Sequence, residues 1–404
     1  LGSMFCRKIK TRVGLLLTID PTGGGAFQYD LSILDAVAAI KDKDIEFVVG
    51  YSHPAWLTYL EKIKMKTLHV PMGYWGRFFA QLVHCSGISL SLWRALSPWF
   101  HPTIRSIIKE KCDLWIFPSQ DPWCYLAPVP AVATIHDLMH RYERRFPEIG
   151  TWWQYSWREW HFKNTSKWSK AILVDSNLGK QHVIDSYGTD ASKIFVLPFI
   201  APSYLEYFER QVTDTPLDIN LPEKFIFYPA QFWEHKNHKR LINAVALIKS
   251  RFPDICLVLS GAHKNLYESL FELVSSLGLT KNVLFPGYLQ DNIMGTVYSK
   301  ARAMIMPTFS GPTNIPPLEA MKMGCPLAVS SIYAMPEQTR GAALLFNPES
   351  VEEMADAMAR LWHDDSLCAE LSERGKVISS QWDKEHFEAH FRDILFKVLD
   401  AQAA

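Results

Sequence analysis

Short apolar runs alternate with stretches of helical spacing along the whole chain. The runs are almost continuously apolar, as expected for strands that helices cover on both faces. Strands that alternate with helices predict an α/β fold built on parallel, doubly wound sheets. The predicted strands span 13–19, 45–51, 113–117, 131–135, 171–175 and 194–197 in the first half, and 225–229, 255–260, 283–285, 303–306, 327–330 and 343–346 in the second.

The polar, proline-containing stretch 211–220 is the best candidate for a linker between two domains. A chain of 404 residues is too long for one ordinary core. We therefore predict one Rossmann-like domain over 4–210 and a second over 221–380. Apolar residues at helical spacing within 381–404 predict a C-terminal helix.

Composition and charge exclude several classes of protein. Lys and Arg together number 42, as do Asp and Glu, so the zero net charge argues against a nucleic-acid partner. The hydrophobic content of 48% is that of a folded globular protein. The seven cysteines form no C-x-x-C pair, which indicates reduced thiols in a cytosolic protein.

Apolar segments long enough to cross a membrane are not apparent in the sequence, and the first residues lack the apolar core of a signal peptide. We therefore expect a cytoplasmic location, with the inner face of the membrane as a further expectation if the acceptor is bound to a lipid.

The candidate chemistry is concentrated in two loops of the second half. Residues 311–326 run from a predicted strand through a Gly/Pro-bearing loop into a helix, whose N-terminus suits a phosphate or a sugar hydroxyl. Glu319, one turn inside that helix, can accept hydrogen bonds from a vicinal diol such as a ribose. Lys236, in an earlier strand-to-helix loop, brings positive charge to the same crevice. A diphosphate, a ribose and a sugar are the parts of a nucleotide sugar.

At these residues the chain resembles the retaining GT-B glycosyltransferases of family four, the group 1 enzymes that include mannosyl- and rhamnosyltransferases. The resemblance is carried by Pro-Pro-Leu-Glu-Ala-Met at 316–321 with its following Gly-x-Pro, by the Lys-Asn loop at 236–237 and by Ile-His-Asp-Leu at 135–138. It covers essentially the whole chain and is strongest from 225 to 348.

The resemblance implies two Rossmann-like domains that face each other across a cleft, with the last helix crossing back onto the first domain. It implies a hexosyltransferase that retains the anomeric configuration without a metal or other cofactor. The first domain would hold the acceptor and the second the nucleotide sugar. Catalytic roles are implied for His136, Lys236 and Glu319, with His136 contacting the transferred sugar near its anomeric centre. The implied donor-binding residues are Gly24, Gly25, Gln231, Thr313, Asn314, Ile315 and Leu318.

Two positions depart from the family pattern. An Arg is usual five or six residues before Lys236, where this chain has Gln231 and Ala230. A second Glu is usual eight residues before Glu319, where this chain has Gly311. The first loss leaves one expected charge missing, for which His235, His238, Lys239 or Arg240 are the candidate replacements.

The glycine run at 21–25 follows the first strand and allows a ligand to approach the backbone closely. Its spacing is not G-x-G-x-x-G, which argues against a dinucleotide-dependent dehydrogenase. His136 and Asp137 follow the strand 131–135 at the edge where open sheets bind ligands. His136 and His140 mimic a metal pair, but no third ligand supports it, and we predict no metal site.

Five tryptophans and seven basic residues fall within 141–170. Trp153 and Trp157 share a helical face, so they are interpreted either as a core stripe or as a platform that binds the acceptor together with Asp137. The basic residues would suit a pyrophosphate lipid or a peripheral contact with a membrane surface.

The sequence therefore predicts transfer of a sugar from a GDP-, UDP- or dTDP-linked donor to a saccharide or lipid-linked saccharide, in cell-surface polysaccharide synthesis such as that of lipopolysaccharide. One alternative is a nucleotide-sugar-binding or scaffold protein with impaired catalysis, suggested by Gly311 and the missing Arg. A sugar-nucleotide epimerase or a phosphorylase is a second alternative.

Overall fold

The computed structural model describes residues 10–20, 24–72, 74–206 and 221–403. The chain divides into two compact units. The first contains Leu1–His136, Trp152–Pro198 and Phe387–Ala404, and the second contains Asp137–Thr151 and Phe199–His386. The predicted linker 211–220 lies outside the described residues. Each unit is an α/β domain with a parallel sheet, so the predicted fold class is confirmed.

A seven-stranded sheet forms the centre of the first unit, in the order β3-β2-β1-β4-β5-β6-β7 with every pairing parallel. Six of its strands were predicted, and β3 was missed because it is a short, largely exposed edge strand. The strands are β1 (Thr11–Leu17), β2 (Ile45–Tyr51), β3 (Lys66–His69), β4 (Leu114–Phe117), β5 (Ala131–Thr134), β6 (Ala171–Val174) and β7 (Ile194–Val196).

The described part of the first half contains nine α-helices, and all of them except the short helix 139–142, which belongs to the second unit, surround this sheet. They are α1 (Gly25–Ala39), α2 (Leu57–Leu60), α3 (Tyr74–Ser86), α4 (Leu90–Phe100), α5 (Pro102–Lys109), α6 (Trp123–Leu126), α7 (Met139–Tyr142), α8 (Trp152–Trp168) and α9 (Asn177–Tyr187). The central strands β4, β5 and β6 are buried along their whole length, which explains their unbroken apolar sequences.

The second unit has a six-stranded parallel sheet in the order β10-β9-β8-β11-β12-β13, and all six strands were predicted. They are β8 (Ile226–Pro229), β9 (Leu257–Ser260), β10 (Val283–Gly287), β11 (Ala303–Met306), β12 (Leu327–Ser330) and β13 (Ala343–Phe346). The helices of the second half are α10 (His238–Ile248), α11 (Tyr267–Ser276), α12 (Asp291–Lys300), α13 (Ile315–Lys322), α14 (Met335–Thr339), α15 (Val351–His363), α16 (Asp365–Gln381) and α17 (Lys384–Ala403).

Two segments belong to a different unit from the one that a single division of the chain at the linker would give them. Most of α17 belongs to the first unit, where Phe387 and Phe391 are buried and the His390 imidazole bonds to the Val196 carbonyl over 3.0 Å. The segment Asp137–Thr151 follows β5 of the first sheet but belongs to the second unit.

None of the helices in the described ranges combines the length and apolar content needed to span a bilayer. Within the same ranges, acidic, histidine and cysteine side chains form no group of three that could hold a metal ion.

Candidate active site

The two motif loops of the second half leave neighbouring strands at the same sheet edge. β8 leads into the 3₁₀ turn Glu234–Lys236, and β11 leads into the loop 308–314. The backbone N–H of Phe309 donates to the carbonyl of His235 over 2.8 Å, which joins the two loops directly. The carboxyl edge of an open parallel sheet is where ligands bind in this class of fold.

Asn237 anchors the turn that carries Lys236. Its backbone is left-handed, with φ of 63°, a conformation that Asn adopts more readily than most residues. Its buried side-chain amide donates to the carbonyls of Pro307 over 3.0 Å and Pro348 over 2.8 Å. The Tyr228 hydroxyl donates to the Lys236 carbonyl over 2.9 Å. The turn is therefore anchored by the protein itself.

Lys236 is half-buried at this edge. Burial lowers the pKa of its ammonium to about 8, and the negative charge of Asp137 opposes that lowering. An ammonium that is partly removed from water gains more from an incoming anion than a fully solvated one does. Lys236 is therefore suited to bind a phosphate group.

The basic neighbours of Lys236 contribute little free positive charge. Burial and the charge of Lys236 lower the pKa values of His235 and His238 to about 3, so both imidazoles are neutral near pH 7. Arg240 pairs with Glu349 over 2.7 Å. Only Lys239, among the candidates to replace the missing Arg, is exposed. Lys236 is therefore the partly buried cation of this edge, and Lys239 is the exposed candidate beside it.

The segment Asp137–Thr151 supports the lysine turn through Glu148. One oxygen of Glu148 accepts the backbone N–H of Glu234, and the other lies 3.7 Å from Nδ1 of His235. Glu148 was not predicted from the sequence, because a glutamate in a charged loop shows no local sign of a partner 86 residues away.

Aromatic and polar contacts hold the segment Asp137–Thr151 against the rest of the second unit. Phe146 packs on Phe309 with ring centroids 5.3 Å apart, and the guanidinium of Arg145 lies 4.3 Å from the Phe309 ring centroid. The Tyr333 hydroxyl donates to Glu143 over 2.5 Å. The segment is therefore part of the second unit rather than a free loop of the first.

Asp137, predicted to bind the acceptor, lies within this segment. Its carboxylate accepts the backbone N–H of Met139 over 3.0 Å, and its charge acts on Lys236. A role towards the acceptor stays a prediction.

The start of α13 offers few backbone donors. Pro316 and Pro317 occupy its first turn and carry no N–H. The N–H and C=O of Asn314 are both bonded to the side-chain amide of Gln338, over 3.0 and 2.6 Å. Of the predicted donor contacts here, Ile315 retains a backbone N–H at the start of the helix, whereas the N–H of Leu318 is at the position of the first intrahelical donor. The roles predicted for them, for Thr313 and for Asn314 stay predictions.

Gly311 is required by the backbone of this loop. Its φ is +95°, which a residue with a side chain rarely adopts. A Cβ at this position would lie 3.0 Å from the Thr313 carbonyl and 3.1 Å from the Asn314 amide nitrogen. A Glu at this position, where the family usually carries one, would therefore strain this loop conformation.

Glu319 is buried, and two tyrosines occupy its carboxylate. Tyr204 donates to one oxygen over 2.5 Å, and Tyr298 donates to the other over 2.6 Å. Burial raises the pKa of Glu319, while the two hydrogen bonds oppose the rise. A ribose that binds Glu319 would have to compete with these hydroxyls, and that role stays a prediction. Neither tyrosine was predicted from the sequence, because they lie 115 and 21 residues away from Glu319.

Gln231 is held by its neighbour Trp233, whose indole N–H donates to the Gln231 side-chain oxygen over 2.8 Å. The ammonium of Lys264 lies 5.3 Å from the Trp233 ring centroid. This arrangement places an amide and an aromatic ring beside the lysine turn, and donor binding by Gln231 stays a prediction.

In the first unit, His136 lies at the carboxyl edge of β5. Its backbone N–H donates to the Gln120 side chain over 2.6 Å, and its ring meets Tyr29 edge-on at 4.8 Å. Gly24 has φ of 60° and precedes α1, which begins at Gly25. His136, Gly24 and Gly25 thus all lie in edge loops of the first sheet, and their predicted roles are not tested by this geometry.

Two carboxyl groups near this edge were not anticipated. Ser119 donates to Asp30, and burial raises the pKa of Asp30 well above its usual range. Thr18 donates to Asp121 over 3.1 Å, and burial raises the pKa of Asp121 to about 7. These groups show that the edge is partly withdrawn from water.

The two predicted platform tryptophans differ in environment. Trp157 packs against His84 at 5.5 Å and Trp160 at 5.4 Å, beside the core of the first unit, as the core-stripe alternative expects. Trp153 leaves 52% of its surface exposed. Of the two, Trp153 is the more accessible to an acceptor.

Comparison with known families agrees with this architecture. A model described as glycosyl transferases group 1 matches residues 209–377, and one described as glycosyltransferase family 4 matches residues 73–199. Together they cover most of both units. The chain belongs to the family-four glycosyltransferases, with a group 1 domain as its second half, and the predicted family is confirmed.

Individual relatives are more distant. The serotype-specific mannosyltransferase WbdA of Escherichia coli is 25% identical over 239 residues, which are 56% of this chain but only 29% of that protein, so the match spans under a third of WbdA. The O-antigen chain mannosyltransferase RfbU of Salmonella typhimurium is 23% identical over 85% of this chain and 92% of its own. Anabaena Alr3699/HepE, solved with UDP and glucose, shares the fold with a TM-score of 0.70, at 16% identity over 96% of this chain and 100% of its own.

We predict that Glu148→Ala loosens the lysine turn. Loss of the acceptor for the Glu234 N–H costs about 1–3 kcal/mol locally, so amide hydrogen exchange in the turn accelerates roughly tenfold or more. Glu148→Gln keeps an acceptor oxygen and retains most of the protection. Exposed Glu373→Ala is the control, measured by hydrogen-exchange mass spectrometry. Equal exchange in the Glu148→Ala and Glu373→Ala proteins would contradict the support by Glu148.

We predict that Glu319→Ala destabilises the second unit, because the fully buried hydroxyl of Tyr298 loses its acceptor. The expected loss in the free energy of unfolding is about 1–3 kcal/mol in urea denaturation. Glu319→Gln keeps one oxygen acceptor and a donor of the same shape, so its loss is smaller. If both variants unfold like the unaltered chain, the two tyrosine contacts contribute nothing to stability.

Proposed function

We propose that the chain transfers a hexose from a nucleotide sugar to a saccharide or lipid-linked saccharide during assembly of an O-antigen type of cell-surface polysaccharide. The observation that carries the proposal is the partly desolvated Lys236 at the carboxyl edge of the second sheet, within the region matched by the group 1 model. A nucleotide sugar is the substrate, and the proposal includes no cofactor or metal.

Lys236 has the chemistry that the leaving group needs. Cleavage of the glycosyl–phosphate bond builds negative charge on the departing phosphate oxygen. An ammonium held at that point therefore stabilises the transition state more than the ground state. Because the turn is anchored by Asn237 and Glu148, little reorganisation is needed when the charge develops.

We further propose that the anomeric configuration is retained by a front-face reaction. The bond from the anomeric carbon to the phosphate oxygen breaks, and the bond to the acceptor oxygen forms on the same face. The acceptor proton passes to the departing phosphate. Support comes from the family resemblance and from Glu319, whose carboxylate is occupied by two tyrosines and so is a poor covalent nucleophile.

The names of two relatives suggest the first sugar to test. WbdA and RfbU are both described as mannosyltransferases, so we propose a mannosyl donor before other hexoses. The structure of HepE contains UDP and glucose, which makes UDP the alternative nucleotide to compare with GDP and dTDP. We place the reaction in the cytoplasm, at the inner face of the membrane if the acceptor is lipid-linked.

The pKa of Lys236 predicts how nucleotide binding changes with pH. Only the charged ammonium attracts a diphosphate, so the affinity is highest below the free-protein pKa of about 8 and falls as the pH rises above it. Calorimetric titration of GDP, UDP and dTDP from about pH 7 to 9.5 measures this, because the diphosphate itself stays ionised above pH 7. Lys236→Arg stays charged throughout and should bind with little change. An equally flat profile for both proteins would contradict the prediction.

The transfer itself is tested with purified protein, nucleotide hexoses and saccharide acceptors. We expect turnover with one of the donors. The one-bond C1–H1 coupling measured by NMR should show the same anomeric configuration in the product as in the donor. Lys236→Ala should lower kcat/KM by about 30-fold or more, as loss of a desolvated charge contact of roughly 2–5 kcal/mol predicts, while exposed Lys300→Ala serves as the control. An inverted product would refute retention. Turnover of the donor without an acceptor would favour an epimerase.

A further inference from the structure

Helix α4 of the first unit is apolar on both of its sides. Leu90 and Trp93 are buried in the core, yet the opposite side carries exposed Leu92, Leu96 and Trp99. A helix of a soluble unit normally turns charged or polar side chains towards water. The exposed side of α4 therefore differs from an ordinary solvated surface.

The exposed apolar residues lie on one side of the helix. Leu92, Leu96, Trp99 and Phe100 follow the spacing i, i+4, i+7 and i+8 and are 52, 50, 82 and 45% exposed. We call these four residues the α4 face. Ala95 is the other residue exposed between them and is small, and none of the exposed residues of α4 is charged. The face is therefore contiguous and free of like-charged or acidic groups.

Two exposed cations lie at one end of this face. Other basic residues of the stretch 62–109 are engaged elsewhere, because Lys66 pairs with Glu110 over 2.5 Å and Arg94 donates to the carbonyls of Tyr125 and Ala127. The Arg105 guanidinium reaches the carbonyl of Phe100 over 3.4 Å, so a cation lies at the end of the face. Lys109 is exposed one turn further along α5, which packs against α4. We call Arg105 and Lys109 the basic border of the α4 face.

We propose that the α4 face docks the protein onto the surface of an anionic lipid bilayer. Leucine, tryptophan and phenylalanine side chains enter the boundary between headgroups and acyl chains, and the basic border faces the anionic headgroups. A protein partner would need an apolar surface bordered by matching acidic residues at fixed positions. An anionic bilayer offers an apolar interior and negative headgroups everywhere on its surface, so it needs no match at fixed positions.

This surface goes beyond the transfer reaction and does not depend on it. It is also separate from the tryptophan-rich segment 141–170, which sequence analysis offered as a membrane contact. The consequence is that the first unit is held at the membrane by its own side chains, whether or not the acceptor is a lipid.

The test is co-sedimentation of the full chain with vesicles of phosphatidylcholine alone or with about a third phosphatidylglycerol. We expect binding to the anionic vesicles that weakens as salt is added. Leu96→Ser/Trp99→Ser should weaken binding at least tenfold. The matched control is Leu247→Ser/Phe271→Ser on the second unit, where the two residues are 54 and 55% exposed, and it should bind like the unaltered chain.

The basic border is tested separately. Arg105→Gln/Lys109→Gln should weaken binding about fivefold for each charge removed and reduce its salt dependence. Thermal melts followed by circular dichroism establish that all the variants are folded, as expected for exposed positions.

Three results would overturn the proposal. One is failure of the unaltered chain to bind anionic vesicles. Another is equal binding by the face variant and its matched control. The third is self-association in sedimentation velocity that the face variant abolishes while vesicles bind no chain, which would assign the face to a second copy.

Discussion

A cation held partly out of water at the edge of the second sheet is the constraint on which the rest of the site depends. Lys236 loses hydration there, and the protein compensates only in part through Asp137. The turn keeps Lys236 in this position despite the lost hydration, because hydrogen bonds from Asn237, Tyr228 and Glu148 hold its backbone. An anion that binds next to Lys236 stabilises the poorly hydrated ammonium. The hydration energy lost on folding therefore favours the binding of an anion such as a diphosphate.

Local sequence patterns predicted twelve of the strands and the two loops that meet at this edge. They did so because unbroken apolar runs and strand-to-helix loops are properties of neighbouring residues. Contacts between distant residues leave no such pattern. Glu148 is 86 residues from Glu234, and Tyr204 is 115 residues from Glu319, so neither was predictable from spacing. The strand β3 was missed because an exposed edge strand has no apolar run to detect.

The structure bears on both positions at which the chain departs from the family pattern. At Gly311 the backbone has a positive φ that disfavours the usual Glu, and the side chain of Gln338 bonds to the backbone of Asn314 in the same loop. This makes the change a different loop conformation rather than a simple loss of one carboxylate. The missing Arg is not replaced by His235, which stays neutral beside Lys236. The absence of the Arg leaves Lys236 as the partly buried cation to which the proposed function assigns the donor phosphates.

The most direct measurement is therefore the pKa of the Lys236 ammonium itself, followed by NMR on selectively labelled protein with and without a bound nucleoside diphosphate. The account predicts a pKa of about 8 in the free protein and a clear rise on binding, because the diphosphate supplies the negative charge that burial denies. An ordinary lysine pKa in the free protein, or a pKa that does not move when the nucleotide binds, would contradict the central role given to Lys236.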